Sequence, residues 1–418
     1  MVMDLNDVKI VNPWWQDPSA IDLDPYLQEI LGKPYYFNNP IKEALDFKKG
    51  HTYILRGARQ VGKTTLIKEM IRRAIQGEGI AAKNCLFLSC EAFKDYSDLQ
   101  HILADWLSDR RDVPTRIFLD EITFVDQWQR ALLWMINAGL LKNTTTVISG
   151  SNARDLKRMG ERFPGRHVKE ISIYPLSVGE YRDLKCFKSK DGRTLLKIYM
   201  SVGGFPHAIR DYHEFGTISD ETYETYANWV FGDAYRFELT RELLTHILFR
   251  VYDTLASQVT YQRLIEKSPV KSHETAAAYV EHLELAFLCK ILHCYDQEKD
   301  MAAPRKARKI YFIDPLLYQL AGGFLRGIRN THAWWMEQLS DSIQRGNLFE
   351  SIVINQLARE NDRIYYWYSS NLKKEVDVLI REGEDMKLFE IKSKKEGIKS
   401  ILGHEVQVIT PESFIEKL

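Results

Sequence analysis

Residues 57–65 read GARQVGKTT and follow the apolar run Tyr53, Ile54 and Leu55. The stretch fits G-x-x-x-x-G-K-[ST], with Gly57, Gly62, Lys63 and Thr64 in the defining positions. Glycines let a loop curl until several backbone N–H groups face one anion. The residues that follow place Leu66, Ile67, Met70, Ile71, Ala74 and Ile75 at helical spacing, so the loop should open a helix whose positive end faces the same anion. Gly57, Ala58, Arg59, Gln60, Val61, Gly62, Lys63, Thr64 and Thr65 are therefore read as a phosphate cradle. Lys63 is placed to reach the β- and γ-phosphates of ATP, and the Thr64 hydroxyl to ligate Mg²⁺.

Such a loop needs a carboxylate for the metal. The stretch TRIFLDEIT supplies two, because Ile117, Phe118 and Leu119 make a buried strand that ends in Asp120 and Glu121. An aspartate at that strand end holds the Mg²⁺ shell, and the neighbouring glutamate can orient and polarise the attacking water. A third strand, TTTVISGSNAR, ends in Ser149, Ser151 and Asn152. These polar residues either sense the γ-phosphate and position the water, or cap the next helix. Arg166 follows in a turn, where it can serve as an arginine finger completing a site across a homo-oligomer interface.

Composition leaves the partner open. Lys plus Arg and Asp plus Glu each number 57, so no global charge steers the chain to nucleic acid or to a membrane surface. At 418 residues there is room for roughly two to four domains. The five cysteines form no C-x-x-C pair, which suits reduced thiols in the cytoplasm. No apolar run approaches the roughly 20 residues of a membrane span, and the N-terminus lacks a signal-peptide core.

Along the chain, residues 1–45 form an aromatic-rich extension containing NPWW. From 46 to 180, the apolar runs HTYILRG, KNCLFLSC, TRIFLDE, TTTVISGS and HVKEISIYPL alternate with helical patterns. That alternation predicts an α/β domain with a mostly parallel sheet. Residues 181–242 read as a helical lid broken by the GGFP turn. Residues 243–330 read as helices leading into two strands, FLCKILHCY and KARKIYFID, a winged helix-turn-helix pattern with Ser272 as N-cap of its second helix. The basic residues Arg305, Lys306, Arg308 and Lys309 then form a cationic hairpin suited to DNA phosphates. Residues 331–418 read as a small α/β domain.

In that last domain, strand KLFEIKS places Glu390 and Lys392 on one face. The preceding strand EVDVLI carries Asp377, and the spacing Asp377 to Glu390-x-Lys392 matches the D…(D/E)xK pattern of restriction-endonuclease-like folds. Asp377 and Glu390 would hold Mg²⁺, Lys392 would stabilise developing charge, and Glu350 on the preceding helix would assist. The other reading of the same residues is an amphipathic hairpin with its polar side outward.

The ordered set GARQVGKTT, IFLDE, SGSNA and PGR, followed by PLS-x-x-E-Y and GGFP, resembles AAA-type ATPases widespread in archaea and bacteria. Members of that group commonly carry a C-terminal domain similar to PD-(D/E)xK nucleases. The resemblance implies Lys63 and Thr64 as nucleotide and Mg²⁺ contacts, Asp120 as metal partner, Glu121 as catalytic carboxylate and Arg166 as the family's GR arginine. It leaves the sensor position open between Ser149, Ser151 and Asn152. Two function classes follow: an ATP-driven enzyme acting on DNA, or a nucleotide-switched interaction protein whose C-terminal domain is scaffold.

Overall fold

The five apolar runs of the first half pair as β1 (Thr52–Gly57), β2 (Cys85–Ser89), β3 (Thr115–Asp120), β4 (Thr144–Gly150) and β5 (Val168–Ile173). In this computed structural model they form one parallel sheet in the order β2-β3-β4-β1-β5. The structure describes residues 5–151, 167–236, 239–266, 268, 272–394, 397 and 400–417, and the chain divides into two units, Met1–Tyr174 and Pro175–Leu418. Strands β3 and β4 are buried along their whole length because helices cover the sheet. Ile54, Leu86, Leu88, Ile117, Leu119 and Ile148 share a core with Leu99, Trp106 and Trp128 of the flanking helices.

Strand β2 lies at the sheet edge, and the N-terminal extension covers it. The Asn12 side chain acts as a missing neighbouring strand: its Nδ2 donates to the Phe87 carbonyl at 2.9 Å, and its Oδ1 accepts from the Phe87 N–H at 2.7 Å. The Trp14 and Trp15 indoles both donate to the Cys85 carbonyl, at 3.0 and 2.7 Å. Edge polar groups that would otherwise recruit another chain are thereby satisfied.

The second unit starts with the PLSVGEY stretch, at Pro175. The Leu176 N–H donates to the Gly204 carbonyl at 2.8 Å, so this stretch packs on the GGFP turn. A Cβ on Gly204 would lie 2.0 Å from the Leu176 carbonyl oxygen, which is why glycine stands there. Helices Gly192–Val202, Pro206–Phe215 and Asp220–Arg236 follow. Next come helices Arg241–Asp253, Tyr261–Leu264 and His273–Leu285, the last with Ser272 as N-cap accepting from the Thr275 N–H. Strands β6 (Cys289–His293) and β9 (Arg308–Phe312) pair antiparallel, as do β7 (Tyr295–Asp296) and β8 (Met301–Ala302) between them.

The final sheet contains β10 (Ile364–Ser369), β11 (Lys374–Glu382), β12 (Asp385–Ile391), β13 (Ser400–Ile401) and β14 (His404–Ile409), in the order β10-β11-β12-β14-β13, beside helix Ser342–Glu360. The β6–β9 region is built into this sheet. Tyr295 packs with Trp367, Val376, Leu379 and Leu388, and Asp300 pairs with Arg363 and Arg381. The expectation of four solvent-facing hairpin cations is corrected here. Arg305 and Lys306 are exposed, but Arg308 and Lys309 are 4% and 1% exposed. Arg308 stacks 3.5 Å from the Tyr261 ring centroid, and Lys309 is enclosed by carboxylates from the C-terminal part.

Candidate active site

Strand β1 delivers the glycine loop and β3 delivers its carboxylates, both at their carboxyl ends, where ligands collect in parallel sheets. Gly57 closes β1 against β5 so tightly that a Cβ would sit 2.2 Å from the Ile173 carbonyl oxygen. Gly62 has φ +95°, a left-handed backbone that glycine adopts without strain, and it precedes helix Lys63–Gln76. Gln60 and Glu121 also have positive φ, 60° and 51°. For non-glycine residues such conformations cost energy, and they concentrate at functional sites.

The Lys63 ammonium is buried and turned back onto its own loop, donating to the carbonyls of Gly57 at 3.1 Å and Ala58 at 2.9 Å. It also lies 3.5 Å from Glu121 Oε1. Thr64 Oγ1 donates to Asp120 Oδ2 at 2.7 Å, and the Ser149 hydroxyl donates to the other Asp120 oxygen. Ser149 Oγ accepts from the Glu121 N–H at 3.0 Å. Ser151 Oγ donates to Glu121 Oε2 at 3.1 Å and accepts from Arg59 Nε at 3.3 Å. The guanidinium of Arg59 stands over the Phe124 ring.

Burial pushes the Asp120 carboxyl above its ordinary value, against the hydrogen bonds from Ser149 and Thr64. Burial acts on Glu121 in the same sense, but the Lys63 and Arg59 cations and the hydrogen bonds from Ser151 together hold that carboxyl below its ordinary value. Glu121 is thus kept ionised, as a proton acceptor must be. A threonine hydroxyl beside an aspartate carboxylate is the hard-oxygen donor pair that Mg²⁺ selects, so Thr64 and Asp120 fit that ion.

The structure therefore brings Lys63, Thr64, Asp120 and Glu121 together with two of the three sensor candidates, Ser149 on Asp120 and Ser151 on Glu121. Asn152 and Arg166 lie outside the described residues. Arg59 is a contributor that motif reading placed only as a loop residue. Its signal was a cation inside the variable part of the motif.

The C-terminal candidates form a second centre. Glu350, on helix Ser342–Glu360, and Asp377, on β11, both face the ammonium of Lys309, each at 3.2 Å. Glu375, two residues before Asp377 and on the same face, approaches that ammonium at 2.5 Å. The Tyr311 hydroxyl donates to Glu350 at 2.6 Å, and Asp377 Oδ2 accepts from the Ile391 N–H at 3.0 Å. Glu390 is buried with its carboxylate against Gly397, and Lys392 is exposed and forms no ion pair among the described residues. Among the described residues, no three carboxylate, imidazole or thiol groups are arranged to hold a metal ion. Sequence reasoning missed Glu375, Tyr311 and the position of Lys309. The i, i+2 pairs Glu375/Asp377 and Lys309/Tyr311 were its available signal.

No helix among the described residues is long and apolar enough to cross a membrane. Residues 49–182 match the AAA domain family, residues 193–325 a domain of unknown function (DUF8612), and residues 345–406 another (DUF4143). An uncharacterized protein of Haemophilus influenzae is 30% identical over 282 residues, covering 62% of this chain and 66% of that one. Similar solved structures include a signal-transduction ATPase with a tetratricopeptide-repeat sensor from Pyrococcus horikoshii, at 12% identity and TM-score 0.33, covering 78% of this chain and 49% of that one. They also include the Thermotoga maritima RuvB branch-migration motor, at 17% identity and TM-score 0.33, covering 64% and 86%. DnaA from Aquifex aeolicus aligns at 14% identity and TM-score 0.31, covering 59% and 86%. The family match and the loop-and-carboxylate geometry coincide: the stretch that matches the AAA domain family, residues 49–182, is the one that holds Lys63, Thr64, Asp120 and Glu121.

Proposed function

We propose that the chain is a Mg²⁺-dependent ATPase whose nucleotide state switches what its C-terminal half engages. The observation that carries this reading is the convergence of Lys63, Thr64, Asp120 and Glu121 at the ends of β1 and β3. Incoming β- and γ-phosphates replace the Gly57 and Ala58 carbonyls as acceptors for Lys63. Thr64 and Asp120 would hold Mg²⁺, which supplies neutralisation of phosphate charge. With Lys63 drawn to phosphate, Glu121 is left to Ser151 and is free to take a proton from water. Turnover by wild type, its loss in Lys63→Ala, and nucleotide retention without turnover in Glu121→Gln test the proposal; wild-type turnover in Lys63→Ala contradicts it. Arg166 as a finger across a homo-oligomer interface extends this reading. Mixing Arg166→Ala with Lys63→Ala subunits should then restore part of the activity.

For the C-terminal half, two observations favour a switched interaction module over a DNA enzyme. Arg308 and Lys309 are buried, and helix His273–Leu285, the second helix of the winged helix-turn-helix pattern, carries no lysine or arginine and exposes Glu274 and Glu281. Acidic side chains repel phosphates. The second reading, DNA binding by a winged helix beside a nuclease-like domain, is supported by the exposed Arg305 and Lys306. Salt-dependent affinity for duplex or single-stranded DNA that falls in Arg305→Ala/Lys306→Ala would favour it. DNA affinity indifferent to that pair would favour the interaction module.

A further inference from the structure

The nuclease-like pattern implies Mg²⁺ at Asp377, and the residues around Asp377 do not fit one. We infer that Lys309 takes the cation's place, so that this centre is a closed ion-pair latch tying the β6–β9 region to the C-terminal sheet. The inference is independent of whether the first unit hydrolyses ATP.

An ammonium has three N–H donors and no acceptor. Lys309 has three carboxylate partners: Glu375 at 2.5 Å, Glu350 at 3.2 Å and Asp377 at 3.2 Å. Its donors are thus fully used, and its side chain is 2% exposed. The carboxylates are committed as well. Glu350 accepts from the Tyr311 hydroxyl, Asp377 from the Ile391 N–H, and Glu375 from Gln258 Nε2 at 2.7 Å.

A divalent cation bound to these oxygens would lie within about 3–4 Å of the ammonium, and like charges that close repel strongly in a buried site. Mg²⁺ also keeps most of its waters and demands octahedral room, which a filled centre lacks. The strand that carries Lys309 is pinned beside the carboxylates. The Lys309 backbone is in the β6–β9 ladder opposite Leu292, the Arg308 backbone beside it exchanges hydrogen bonds with Val259, and the Ala307 carbonyl accepts from the Tyr366 hydroxyl at 2.6 Å. The lysine and the metal are alternatives, and the fold has installed the lysine.

The test is Mn²⁺ binding to the nucleotide-free full chain, read by electron paramagnetic resonance of free Mn²⁺. Wild type and Asp377→Asn should bind the same amount, because no Mn²⁺ in wild type depends on Asp377. Lys309→Ala should gain one Mn²⁺ per chain, lost again in Lys309→Ala/Asp377→Asn, and its unfolding temperature should rise with Mn²⁺. A Mn²⁺ in wild type that disappears in Asp377→Asn overturns the inference, and so does a folded Lys309→Ala that gains none. If Lys309→Ala does not fold, the comparison of wild type with Asp377→Asn decides the matter alone.

Discussion

Each unit contains a buried lysine facing carboxylates, and the two are held in opposite ways. Lys63 rests on two loop carbonyls and stands 3.5 Å from one carboxylate, Glu121. Lys309 spends all its donors on Glu350, Glu375 and Asp377. A carbonyl offers an ammonium only a dipole, whereas a carboxylate or a phosphate offers a full opposite charge. The first lysine is therefore parked, available to a better anion; the second is paired for good. One residue type thus serves as a ligand-seeking group in a glycine loop and as a structural cation on a strand.

The comparison breaks most visibly in activity. Lys63→Ala should lower ATP turnover by about a hundredfold or more, since a positioned charge on the transition state carries that order of effect. Its unfolding free energy, measured by urea titration, should move by only about 1–2 kcal/mol, the worth of hydrogen bonds to carbonyls. Glu121→Gln should keep ATP bound while hydrolysis falls by roughly 10²–10⁴, the share of a general base; equilibrium nucleotide binding beside a phosphate-release assay separates the two. Lys309→Ala should put its cost into stability. Stripping one partner from a buried charge network costs about 3–5 kcal/mol, so the transition of the second unit should drop by on the order of 10 °C in calorimetry. Glu375→Gln, at a position a third exposed, should cost only about 1 kcal/mol in the same experiment. Equal stability losses in Lys63→Ala and Lys309→Ala would erase the distinction.

Much of the first centre was legible because it is local. The strand Thr52–Gly57, the glycine loop and helix Lys63–Gln76 are contiguous, and Asp120 and Glu121 sit at the end of a strand whose apolar run marks it. The five strands were readable as runs, and their parallel pairing followed from the helical sequence patterns that alternate with those runs. The second centre was legible only in its carboxylates. Lys309 read as one of four hairpin cations because its burial depends on partners 41 and 68 residues away on other elements. The NPWW extension was opaque for the same reason: Asn12 finds its partner, Phe87, 75 residues away along an edge that no local pattern announces. Spacing shows which residues share a face; it does not show which distant face is laid upon it.

The most direct test of the two-lysine account is Mn²⁺ stoichiometry with saturating non-hydrolysable ATP analogue. The account predicts one Mn²⁺ per chain, requiring both nucleotide and Asp120 and unchanged in Asp377→Asn. Two Mn²⁺ per chain, or one that persists without nucleotide and vanishes in Asp377→Asn, would contradict it.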